Sequence, residues 1–336
     1  MADREFVFGH PEVQKLLRDN FILVAADDWY QRRQKDALGQ FFRSVADQGP
    51  RKGGGTRQGR YAFTASGKLL GFNNNRDPRR IIRMLEDSLL RYRALPAAER
   101  RPGAVRIPAL ARDERDPRYA RSVDGDTIPV KVHSRVLKKE GHSYAACEEP
   151  ETGMKEFHHR GFGVATDHLW VKGTELAQLT SPAPPKNGRK LPTALAMRLA
   201  RFHLVDNTRG EPSHWRRSEV RELELHASPL PGPSPRSSGN SFRVRGRFHL
   251  ETKDRRRGYE GELDGFIRTG PGDNTLELHL VAVGNHWGEG PYTRGARPGK
   301  NPLAVVFTLA DRTRTEDQIP PQAARWEKGY WEADRH

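Results

Sequence analysis

Residues 242–283 read FRVRGRFHLETKDRRRGYEGELDGFIRTGPGDNTLELHLVAV, and their alternation is the tightest constraint on how this chain folds. Side chains along a strand point to opposite faces in turn. Phe242, Val244, Phe248 and Leu250 therefore share one face, while Arg243, Arg245, Arg247 and His249 share the other. On the next strand Tyr259, Leu263 and Ile267 face inward, with Glu260, Glu262 and Asp264 outward. Aligning the apolar faces as a hairpin predicts Arg245 opposite Asp264, Arg247 opposite Glu262 and His249 opposite Glu260. Such opposite charges each contribute about 0.2–1 kcal/mol. Extending the pattern sets Asp264 beside His279 and Glu224 beside Arg245, a row that alternates in sign.

The same texture starts at Thr127. Strand patterns fall at 128–138, 142–147, 163–172, 219–228, 242–251, 259–268, 275–283 and 303–309, separated by turn residues. PTALAMRLARFHL (192–204) is the helix candidate of this half. Short strands at regular spacing predict an antiparallel β-sandwich or barrel over 128–315, leaving 316–336 as a C-terminal tail. Residues 96–127 are polar and rich in Pro and Arg, and read as a linker. A length of 336 residues favours two domains, and the 35% apolar content suffices for packed cores.

The first 95 residues have a different rhythm. Pro11 opens a short helix over 11–20 that places Val13, Leu16 and Leu17 on one face. FILVAADD (21–28) is an apolar run of the kind that forms a strand buried on both faces. A second helix is expected over 31–48 from Leu38, Phe41, Phe42 and Val45. A hairpin follows, with strands near 59–64 and 68–72 that turn at Ala65-Ser66-Gly67. The last helix starts with Asp77 as N-cap and Pro78 behind it, buries Ile81, Ile82, Leu85 and Leu89, and ends near Leu95-Pro96.

HPEVQKLLRDNFILVAADDW and GTRQGRYAFTASGKLLGF, in this order of helix, strand, helix, hairpin and helix, resemble the C-terminal two-thirds of the thioredoxin-like fold over about residues 6–95. The resemblance implies an α/β domain, so the chain as a whole is expected to be α+β. The fold's dithiol is missing, because Cys147 is the single cysteine. Arg57-Gln58-Gly59 stands where the fold's cis-proline would be. With neither attacking nor resolving thiol, thiol–disulfide chemistry is not expected. In open α/β sheets, ligands bind outside the carboxyl ends of strands. Asp27, Asp28 and Tyr30 occupy that place here and form one candidate contact surface.

The formal charge of +15 raises the question of nucleic acid. The excess is spread rather than clustered, at +7 over 1–95, +1 over 96–127 and +7 over 128–336. This disfavours a nucleic-acid partner. No run approaches the ~20 apolar residues that cross a bilayer. MADREFVFGH has no apolar signal core, so the expectation is a soluble chain, cytoplasmic or exported with its leader removed.

Two segments could carry chemistry. VGNHWGEGPYTRGARPGKNPL (283–303) lets an apolar strand empty into a glycine-rich loop bearing His286, Trp287, Glu289, Tyr292, Arg294 and Arg297. Loops at the end of a rigid sheet concentrate recognition residues, and Trp, Tyr and Arg supply stacking and anion binding. FHHRGFGVATDHLWV (157–171) offers His158, His159 and His168 as transition-metal ligands, with His203, His214 or Cys147 as a further donor. His226, His249 and His279 do not make such a site, because the expected register sets His249 and His279 on different rows. P-loop, Rossmann, HExxH and G-x-S-x-G signatures are all missing. The sequence therefore points to a protein that binds a small molecule or another protein on a redox-inactive thioredoxin-like scaffold. The alternative is a metal-dependent oxidoreductase using histidines of the β domain.

Overall fold

A computed structural model describes residues 7–53, 55–75, 77–101, 125–147, 163–180, 185–230, 240–270, 275–314 and 317–335. The protein is α+β, and it divides into two compact units, Asp3–Arg121 and Ser122–His336. No helix among the described residues is long and apolar enough to cross a membrane.

In the first unit, helix α1 (Pro11–Asn20) has Pro at its first position and buries Val13. A single turn α2 (Asp28–Gln31) follows, capped by the Asp27 side chain, and then α3 (Ala37–Ala46), capped by Asp36. Strands β1 (Arg60–Phe63) and β2 (Leu69–Asn73) form the expected hairpin, with Gly67 supplying the left-handed turn residue at φ 82°. Helix α4 (Pro78–Arg93) begins at Asp77, which accepts from the Arg79 N–H, and buries Ile81, Ile82 and Leu85 against β2. A further turn, α5 (Ala97–Arg100), lies where a linker was expected.

One expectation fails here. Residues 21–27 form no strand, and Ile22, Leu23 and Val24 are 96%, 62% and 76% exposed. A buried parallel strand needs hydrogen-bonded neighbours, and the described ladder of this unit contains only β1 and β2, which pair with each other. The apolar run supplies side chains to bury without a strand to pair with. The second helix is also shorter than the span 31–48, since Asp36 caps it.

The second unit contains β3 (Thr127–Glu140), β4 (Ser143–Ala146), β5 (Val164–Lys172), helix α6 (Gly173–Thr180), the short β6 (Arg189–Lys190) and helix α7 (Thr193–Arg198). A π-helical turn at Leu199–His203 continues α7. Then come β7 (Val220–Pro229), β8 (Ser241–Glu251), β9 (Gly258–Thr269), β10 (Thr275–Trp287), β11 (Asn301–Leu309), a 3-10 turn at Gln322–Trp326 and α8 (Glu327–Trp331). All eight expected strands are present. They join in one nine-stranded antiparallel sheet, ordered β4-β3-β11-β10-β9-β8-β7-β6 with β5 also on β3. Among the described residues these strands are one hydrogen-bonded sheet rather than two, and its ladder does not close into a barrel. Helices complete the core instead: Leu195, Leu199, Phe202 and Leu204 pack in one cluster with Val244, Phe248, Leu250, Tyr259, Leu263 and Ile267 of the sheet.

The register of β8 with β9 is the expected one, with Arg245 opposite Asp264, Arg247 opposite Glu262 and His249 opposite Glu260. The flanking pairs are displaced by two residues. Asp264 faces Val281, His279 faces Phe266, and Arg245 faces His226 rather than Glu224. Irregularities between Val220 and Glu222 and between Thr275 and Glu277 accompany the slip. The bidentate ion pair to Asp264 comes diagonally from Arg243, at 2.9 and 2.7 Å.

Residues 317–335 of the expected C-terminal tail pack on this unit. Ala323, Ala324, Tyr330 and Ala333 are buried in the core. Tyr330 Oη accepts from the Trp170 N–H at 3.0 Å and lies 3.0 Å from His203 Nε2. The fully buried Arg198 binds both carboxylate oxygens of Glu175 at 2.8 Å and donates to the Tyr330 carbonyl at 3.1 Å. A buried charge of this kind is tolerable only when its donors are matched.

Candidate functional site

The glycine-rich loop sits at the end of two central strands. Strand β10 ends at His286 and Trp287, and the chain turns at Gly288 with φ 75°. A side chain at Gly288 would run into the Arg256 carbonyl of the neighbouring hairpin, so glycine is required there. Trp287 pairs with Gly258, whose lack of a side chain leaves room for the indole ring. The indole N–H donates to the Arg255 carbonyl at 3.1 Å, and Lys300 lies over the ring at 4.3 Å. The loop returns into the sheet at Asn301.

A second wall comes from residues 204–215, an irregular segment after the π-helical turn in which Leu204 through Thr208 are buried. Irregular backbone is buried only where its polar groups are satisfied. Asp206 does part of this. Its Oδ1 accepts from the Thr208 N–H at 2.9 Å and the Thr208 hydroxyl at 2.6 Å, and its Oδ2 accepts from Arg209 Nε at 2.7 Å. Arg209 then reaches across to the glycine loop, donating to the Gly288 carbonyl at 3.0 Å and to the Thr293 carbonyl. Trp215 closes the segment by donating to the Leu204 carbonyl at 2.8 Å. Arg257 stacks on Trp215 at 4.0 Å and donates to the Ser213 carbonyl at 2.6 Å.

Between the two walls lies a cleft of about 30 Å³, lined among others by Asp206, Arg209, His286, Trp287, Arg297 and Asn301. A cleft of that size has room for water. His286 Nδ1 is 4.0 Å from Asp206 Oδ2. Burial pushes the His286 pKa down to about 4, with Arg209, Arg257 and Arg297 acting in the same direction and Asp206 against it. The imidazole is thus neutral at pH 7, able to donate from one nitrogen and accept at the other. For Asp206, burial acts to raise the pKa, but the charges of Arg209 and His286 and the bonds from Thr208 and Arg209 hold it well below the usual carboxylate range. Arg297 is fixed by donating to the Leu137 carbonyl at 3.0 Å and the Pro302 carbonyl at 3.1 Å. The site thus offers a neutral hydrogen-bonding imidazole, a flat indole wall and guanidinium charge held rigidly.

Of the residues expected from the sequence, His286, Trp287 and Arg297 meet in this cleft. Glu289 lies on its rim, while Tyr292 is 74% exposed and Arg294 points to solvent, outside the lining. Asp27, Asp28 and Tyr30 belong to the other unit and have local duties. Asp27 caps α2, Asp28 accepts from Thr56 Oγ1 and the Arg57 N–H at 3.0 Å each, and Tyr30 packs edge-on to Trp29. His158 and His159 lie outside the described residues. His168 is buried on β5 opposite Lys131. His203 binds Tyr330, His214 packs on Phe202, and Cys147 is buried and in no disulfide. Among the described residues no three His, Cys, Asp or Glu side chains are grouped to hold a metal ion.

Asp206 and Arg209 escaped the sequence reading. One signal was present: Thr-Arg-Gly occurs in both walls, as Thr208-Arg209-Gly210 and as Thr293-Arg294-Gly295. Comparisons with family models, curated proteins and solved structures gave no match to this chain.

Proposed function

We propose that this chain is a binding protein whose recognition site is the cleft between residues 204–215 and 284–301. The single observation that carries this reading is the convergence of Asp206, Arg209, His286, Trp287 and Arg297 on one concave site at the end of a rigid sheet. Concave sites with a few convergent polar groups are the default places for ligand recognition. The Asp3–Arg121 unit is read as a redox-inactive, thioredoxin-like scaffold. Its short helices, hairpin and long helix support this although the strand expected at 21–28 does not form, and it carries no cysteine. Screening the full chain against a mixed small-molecule library by NMR tests the proposal. A ligand is expected to shift the Trp287 indole and His286 ring signals, and a His286→Ala, Trp287→Ala variant should lose the response. If every binder found instead shifts signals remote from this cleft, the proposal is wrong.

A further inference from the structure

The rim of the cleft contains an anion position that the protein fills with its own side chain. Glu289 Oε2 accepts from two successive backbone N–H groups, those of Gly295 at 2.8 Å and Ala296 at 3.4 Å. Gly295 has a φ of 84°, and a left-handed residue of this kind lets consecutive N–H groups converge on one point. Both residues line the cleft beside Arg297. Glu289 is exposed, and among the described residues these two N–H groups are its only hydrogen-bond partners, with no ion pair holding it. An exposed carboxylate held in this way exchanges readily with solvent, because surface interactions of charged groups contribute little. Cationic groups outnumber acids here: Arg209 and Arg297 line the cleft and Arg257 also acts electrostatically on the neighbouring His286, against the single carboxylate of Asp206, which is paired with Arg209. Glu289 thus marks where a foreign oxyanion fits.

We propose that the ligand carries a carboxylate or phosphate group that displaces Glu289 from the Gly295 and Ala296 N–H groups, its remainder lying against His286 and Trp287. This rests on the binding reading above and adds the class of ligand. The test is an amide NMR titration of the full chain with sodium phosphate and, separately, sodium acetate, in wild type, Glu289→Gln and Glu289→Ala. Removing the competing carboxylate is expected to tighten binding of at least one anion tenfold or more, with the Gly295 and Ala296 amides moving most. The stronger of the two anions identifies the group. Equal affinity in all three proteins, or no movement of those two amides in either variant, overturns the inference. Glu289→Gln retains the size of the side chain, so an unchanged spectrum elsewhere shows that folding is not the cause. Should the anions fail while neutral library compounds still shift Trp287 and His286, this inference falls and the binding reading stands. Should no compound of any class reach the cleft, both fall.

Discussion

Asp206 and Arg209 form an ion pair at 2.7 Å with side chains only 6% and 9% exposed, and the same guanidinium ties two walls of the cleft together through the Gly288 and Thr293 carbonyls. Removing one partner of such a pair leaves an uncompensated buried charge, which typically destabilises by about 3–5 kcal/mol. Asp206→Asn is therefore expected to lower the unfolding free energy of the Ser122–His336 unit, measured by urea denaturation, by an amount in that range. Arg209→Met should destabilise at least as much, since it leaves the buried Asp206 carboxylate uncompensated and the Gly288 and Thr293 carbonyls without their donor. The double variant should fall short of the sum, giving a coupling energy of about 1 kcal/mol or more. Additive losses would show that the pair does not act as a unit.

Acid is expected to weaken the same unit in two separate pH windows. Burial lowers the pKa values of both His214 and His286 to about 4, against about 6.5 in an unfolded chain. Between those values the unfolded state binds more protons, so stability rises with pH. This contribution is complete above pH 6.5 and is lost as pH falls through about 4, at roughly 3 kcal/mol per histidine by linkage. Burial shifts His203 in the same direction. Asp206 acts lower: its depressed pKa stabilises the fold above its unfolded value of about 3.8 and withdraws that support only below it. Urea denaturation from pH 7 to pH 4.5 should therefore show a falling midpoint, and His286→Gln should make the fall shallower. A midpoint flat across this range would rule out neutral buried imidazoles.

Much of the sheet was legible because period-two alternation decides which face each residue takes. The short hairpin at 252–257 then set Arg245, Arg247 and His249 opposite the expected acids. Alternation is blind to a slip of two residues, which keeps every side chain on its face. The rows through His226 and Val281 were therefore misplaced by that amount. The run 21–27 shows the complementary limit, since an apolar segment encodes what it could bury but not what will cover it. In the site, His286, Trp287 and Arg297 were visible as a loop at a strand end. Arg209 was not, because its contacts to Gly288 and Thr293 span 79 and 84 residues and leave no local pattern.

Gly261 and Gly284 face each other across β9 and β10, and each lies against a backbone carbonyl of the other strand. A side chain at Gly284 would collide with the Glu260 oxygen, and one at Gly261 with the Val283 oxygen. Backbone cannot yield as a flexible side chain does, so Gly284→Ala is expected to cost about 1–3 kcal/mol as an overpacking change. The control is Gly55→Ala, where nothing lies within 4 Å. That change should be neutral or stabilising by about 0.4–1 kcal/mol, because it restricts the unfolded chain. Similar thermal midpoints for the two variants would mean that the strands do not approach closely at Gly284.

The exposed run in the first unit gives the sharpest separation between two readings of one stretch of chain. As a strand buried on both faces, 21–27 would lose several kcal/mol from a lysine at its centre, since an unpaired charge would enter the core. With Leu23 and Val24 at 62% and 76% exposure, Leu23→Lys and Val24→Lys should each change stability by no more than about 0.5 kcal/mol. Val13→Lys on α1 and Ile81→Lys on α4 provide the contrast, because those side chains are 0% and 1% exposed. Both should unfold the unit. Chemical denaturation of the four variants decides the matter: if the lysines at 23 and 24 are as damaging as those at 13 and 81, the run is buried in solution. Because three adjacent large apolar side chains in water also favour self-association, the Val24→Lys protein should stay monomeric to higher concentration than wild type in sedimentation velocity.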